Sequence, residues 1–200
     1  MSDLKETQEK PLKISWAKSV LYPSKEYIEA IARGGIKLEP LRNPKILILI
    51  YWAFSLLFSF YVVSMSDGIE REMIHRGILY HTWADMLFAL SYEIPTVYLI
   101  VRNYRAGYII FALFAITMKL LPVLSLDRKP ASALLFCFLY ATISITGVRI
   151  LSAKIKFGTS PKRSKLQFCA DIAVPLLSFA LLLILSLVLY YAFYYGVQNY

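Results

Sequence analysis

A chain of 200 residues that is 58% hydrophobic and only 18% charged is not an ordinary water-soluble domain. About a quarter of such a domain is charged, and too little polar surface remains here to cover the apolar remainder. The net charge of +9 does not point to nucleic acid, because the basic residues fall in the links between apolar runs and no base-stacking aromatics sit among them.

The opening residues, MSDLKETQEKPLK, are polar and contain no apolar h-region. The first apolar run is therefore expected to act as an uncleaved signal anchor. Residues 14–21 (ISWAKSVL) and 24–33 (SKEYIEAIAR) read as two short amphipathic pieces, separated by Pro23 and ended by Gly34 and Gly35. Ser24 is placed to cap the second piece, and Glu29 and Arg33 stand at i, i+4 in the favourable order. Tyr27, Ile28 and Ile31 form a narrow apolar stripe. Two dispositions fit this pattern. In one, the helix lies on an anionic membrane surface; in the other, the segment packs against the loops of the protein. The first makes Lys18, Lys25 and Arg33, with Lys162, Arg163 and Lys165 from a later loop, the lipid-surface residues, at about 1 kcal/mol each near anionic headgroups.

The string Val20-Leu21-Tyr22-Pro23-Ser24-Lys25-Glu26-Tyr27-Ile28 resembles the opening of prokaryotic Yip1-domain proteins. These begin with an L-x-P-S-x-x-aromatic segment and a short amphipathic helix, followed by about five spans. The resemblance covers about ten residues and the general layout. It implies a membrane-organising or trafficking-type protein with a cytoplasmic N-terminus, and it supplies no catalytic residues.

A helix needs about 20 apolar residues to span the hydrocarbon core. Five stretches meet that length: 46–65, 78–101, 107–126, 131–152 and 170–195. The link 66–77 carries five charged residues. Arg102 to Ala106 is a tight basic turn, and Asp127-Arg128-Lys129-Pro130 is another, ended by a proline that cannot continue a helix. A longer basic loop, 152–168, precedes the last span. Seventeen Lys and Arg fall on the N-terminal side of this arrangement and four on the other. The positive-inside rule then places the N-terminus in the cytoplasm and the C-terminus outside or in a lumen. Tyrosines near the span ends, among them Tyr98, Tyr104 and Tyr108, read as interfacial anchors.

The expected fold is thus an all-α integral membrane protein. Residues 1–45 form a basic cytoplasmic segment with a short amphipathic helix, and residues 46–200 form a bundle of about five transmembrane helices. Its partners are the bilayer and other membrane proteins or further copies of itself; nucleic acid is not among them. Cys137 and Cys169 fall near opposite faces of the membrane, too far apart for a disulfide.

No catalytic set and no cofactor motif are present. Of the ionisable groups inside the spans, each costly in hydrocarbon by about 2.5–3.5 kcal/mol, Glu93 and Lys119 lie deepest. They stand about 13 and 18 Å from the same edge by helix rise. Their spans are joined by a tight turn, so the two are expected to pair, either as a bridge that sets helix register or as an ion or proton element. Pro95 and Pro122 follow them closely, which makes the space between the second and third spans the place to look for a cavity. His81 and Asp85 stand at i, i+4, with His75 two turns earlier. These could begin a metal site, though such a site wants three or four ligands. Asp171 is expected at the headgroup edge near Lys165. The functional readings are a non-enzymatic membrane-organising or accessory protein, a small channel or transporter using Glu93 and Lys119, and a metal-binding protein using His75, His81 and Asp85.

Overall fold

The computed structural model describes residues 15–69, 78–126 and 130–198, with some helical side chains between these limits left out. Among the described residues the chain is all-helical. Two short helices, α1 (Trp16–Val20) and α2 (Lys25–Ala32), and a 3-10 turn at Pro40–Arg42 precede five long helices. These are α3 (Pro44–Ile69), α4 (Ile78–Val101), α5 (Arg105–Leu126), α6 (Pro130–Lys156) and α7 (Lys165–Gln198). Each predicted apolar stretch lies within one of the long helices.

Two described stretches are long and apolar enough to cross a membrane: Leu134–Lys156, with 23 residues, and Lys165–Ala192, with 28. Pro44–Leu57, Met86–Val101 and Arg105–Thr117 are shorter apolar helices. In α3, α4 and α5 some side chains lie outside the described set. The last helix is apolar on every side, and about 11% of its apolar stretch is buried. A helix of that kind needs lipid or protein around it.

The long helices pack in a chain of neighbours, with α7 on α4, α4 on α5 and α5 on α6; α3 touches both α4 and α6. A core at one end of the bundle gathers Ile48, Ile100, Tyr108, Phe111, Tyr140 and Leu151 from α3 to α6. Gly147 makes this approach possible, because a Cβ there would sit 2.9 Å from Cζ of Tyr108 and closer still to two other ring atoms. Tyr108 is 3% exposed. It is a core residue and not the interfacial anchor that its position in the chain suggests.

The N-terminal segment docks on α6. Ser15 and Ser24 cap α1 and α2 through their side chains, and the free carbonyls at the other ends find threonines. Thr146 donates to the Val20 carbonyl at 2.8 Å, and Thr159 donates to that of Ala32 at 2.6 Å. The stripe of Tyr27, Ile28 and Ile31 is buried against Ile150, with Ala153 beside it. The apolar stripe is thus covered by the helix α6 and not by a loop between the long helices, while Trp16 and Tyr22 of the same segment stay exposed. Lys18, Lys25 and Arg33 remain exposed, and the Arg33 guanidinium lies 4.6 Å from the centre of the Phe157 ring.

Candidate functional site

Two polar constellations occupy the bundle, and their chemistry differs. The first is built around Asp171, seven residues into α7. The turn after α4 aims its partners. Asn103 adopts the left-handed conformation at φ 60°, which asparagine tolerates better than most residues. Its N–H donates to the Ile100 carbonyl at 3.0 Å, and that of Tyr104 donates to Leu99 at 2.8 Å, closing the helix end. Lys45 adds a bond from Nζ to the Val101 carbonyl at 2.7 Å. Arg102 and Tyr104 are thereby turned toward α7.

There the Asp171 carboxylate, 0% exposed, accepts from Arg102 Nε at 2.6 Å. It also accepts from Tyr104 OH at 2.9 Å and Tyr98 OH at 3.0 Å. Arg163 Nε stands 3.7 Å away. The Arg163 guanidinium lies 3.9 Å from the Tyr104 ring centre and donates to the Arg102 carbonyl. The hydrogen bond to Asp171, then its charge, raises the Arg102 pKa. Burial, then the bond to Asp171, raises that of Tyr104. Three hydrogen bonds and the nearby Arg163 charge hold Asp171, so the cluster clamps the α4–α5 turn onto α7.

The structure adds what the sequence does not indicate: the Asp171 carboxylate is enclosed by protein groups, Arg163 is a half-buried partner to it, and Tyr98 and Tyr104 donate hydrogen bonds to it. The signal in the sequence was a lone acid inside the most apolar stretch of the chain, since such a group needs partners to be retained.

The second constellation is a cavity of about 240 Å³ between α3, α4 and α5. Glu93 and Tyr92 come from α4, Tyr51 and Trp52 from α3, and Phe111 and Phe114 from α5; Ser55 and Thr96 add hydroxyls. Thr96 donates back to the Tyr92 carbonyl at 2.6 Å, one turn from Pro95, which removes a donor from the α4 ladder. Tyr51 meets Phe111 edge to face at 5.9 Å, and Tyr92 lies against Phe114. Among the described residues, Trp52 Nε1 and Tyr92 OH are buried without a hydrogen-bond partner. Trp52 is near enough to act on the Glu93 carboxyl, though outside bonding geometry. Buried polar atoms are paired as a rule, and two orphans beside one half-buried acid mark a place prepared for something polar.

Lys119 lies one turn beyond Ala115 on α5; its side chain, like those of His81 and Asp85, lies outside the described residues, as does all of His75. The expected Glu93–Lys119 pair and the metal set therefore fall outside what is described. Among the described residues no group of three or more His, Cys, Asp or Glu could hold a metal ion. Both cysteines are free, with Cys169 exposed. Comparison with protein-family models, with curated proteins and with solved structures finds no match to this chain.

Proposed function

We propose that this chain is a five-span membrane protein with a cytoplasmic N-terminus, and that it binds a small solute within the bilayer at the Glu93 cavity. It serves as a carrier or a solute-responsive subunit and carries out no covalent chemistry. The observation that supports this is the cavity itself. An ionisable side chain within an apolar span is costly, and here, among the described residues, it borders open volume and two polar atoms without partners. Five spans follow from the five apolar stretches, and the orientation from the seventeen-to-four distribution of basic residues.

The test is solute access. Cys137 and Cys169, the two cysteines of the chain, are replaced by serine, and Ser55→Cys is introduced on the cavity wall. A small neutral thiosulfonate reagent should modify this thiol in the native, bilayer-reconstituted protein. Modification only after denaturation in detergent would defeat the reading. Orientation is tested separately by protease access to N-terminal and C-terminal tags in sealed vesicles, where opposite sides are expected.

A second reading is favoured by α7. Large side chains such as Leu166, Leu177 and Leu181 stand 69–81% exposed along it, a surface suited to lipid or to the helix of a partner. A membrane-organising or accessory role of the kind the Yip1-like opening implies would use that face.

A further inference from the structure

Resting on the solute-binding reading, we propose that the cavity takes a small organic cation of the quaternary or tertiary ammonium type, held between the aromatic rings and the Glu93 carboxylate. Charge is the first argument. Among the described residues that line the cavity Glu93 is the one carboxylate, and none is Lys or Arg. An anionic solute would meet a carboxylate and the negative faces of aromatic rings.

The walls are the second argument. Tyr51, Trp52, Tyr92, Phe111 and Phe114 surround the space, and ring faces attract ammonium groups most strongly when water is excluded. Third, an inorganic cation is poorly served. Calcium takes six to eight oxygen ligands and magnesium a near-octahedral set, whereas one carboxylate is offered among the described lining residues, on a wall that is largely aromatic. An alkyl ammonium needs no such set, because its charge is spread over methyl groups that pack against rings.

Size is the fourth. About 240 Å³ lies below the roughly 300–1,000 Å³ of drug-sized sites, which suits a compact headgroup-like amine. The Trp52 N–H and Tyr92 hydroxyl are then available to a hydroxyl or ether oxygen on the same solute. Such a cation does at Glu93 what the sequence would otherwise assign to the Lys119 ammonium: it offsets a buried negative charge.

The probes are choline and 3,3-dimethylbutanol, which has the same shape without the charge. Both are added to the Ser55→Cys protein during modification by the neutral reagent, and to the unmodified protein during thermal unfolding. Choline is expected to slow modification and raise Tm, and the alcohol to do neither. Glu93→Gln should weaken choline roughly tenfold or more, the loss of one charge-assisted contact. Its own thermal transition reports whether it folds. Trp52→Leu should weaken choline more than Trp52→Phe does, which keeps a ring face. Equal protection by choline and the alcohol would overturn the cation assignment and leave solute binding standing. Modification by the reagent with no protection by choline would also overturn the assignment while the cavity stays accessible. Failure of the reagent to reach Ser55→Cys would remove both.

Discussion

Gly147→Ala sets two effects of known size against each other. Alanine is favoured over glycine in a helix interior by about 0.8–1.0 kcal/mol, so the substitution alone should stabilise α6. Against this, the new methyl would lie 2.9 Å from Tyr108 Cζ and nearer to Cδ1 and Cε1, where ordinary contact begins near 3.4 Å. The ring cannot simply swing away, because Tyr108 is 3% exposed and shares its core with Ile100 and Phe111. Overpacking of this kind costs about 1–3 kcal/mol, and an approach this close belongs to the upper part of that range. The net is a loss of about 1–2 kcal/mol, or roughly 2–8 °C in Tm for a chain of this size. The assay is thermal unfolding of purified protein in mild detergent, with Tyr108→Leu and the double variant completing a cycle. Gly147→Ala should cost much less when Tyr108 is already leucine. An unchanged or raised Tm for the single variant, or strict additivity in the cycle, would refute the packing argument.

Asp171→Asn should lower Tm by more than Glu29→Gln does. The first leaves Arg102 and its neighbours around an uncharged group, whereas Glu29 only loses an exposed i,i+4 pair with Arg33 at 3.6 Å, worth about 0.3–0.5 kcal/mol; thermal melts of the two side by side decide this. Thr146→Val leaves the buried Val20 carbonyl without its donor, at about 1–3 kcal/mol, and should speed tryptic cleavage at Lys18 and Lys25 while sparing the long helices. The alkaline limb of stability should involve Tyr104. Its raised pKa keeps the proton in the folded state above the ordinary value of 10.0, so stability is full below that pH and falls as pH rises beyond it. Denaturation measured between pH 8 and about 11 should show a shallower decline in Tyr104→Phe. Finally, the Glu93→Lys/Lys119→Glu exchange should recover no more stability than either single reversal, because a solute meets the Glu93 charge; recovery in the exchange would show instead that the two side chains pair.

The apolar runs alone determined where the five long helices lie, because about twenty consecutive apolar residues bounded by charges or proline leave the backbone little alternative to helix. Glu93 and the space beside it were legible for a related reason: a carboxyl well inside an apolar stretch, two residues before a proline, is conspicuous. The partners of Asp171 were not legible. Tyr98, Arg102 and Tyr104 lie 67–73 residues from it in sequence, and only the packing of α7 on α4, with the left-handed turn at Asn103, brings them together. The aromatic walls around Glu93 were hidden likewise, since Tyr51, Trp52 and Phe114 look like ordinary lipid-facing residues until three helices converge. Docking of α2 on α6 also needed the fold, because an amphipathic stripe states that it must be covered but not by what. Periodicity and composition act along one helix at a time; which faces meet depends on shape complementarity between helices far apart in the chain, and that is decided only when they pack.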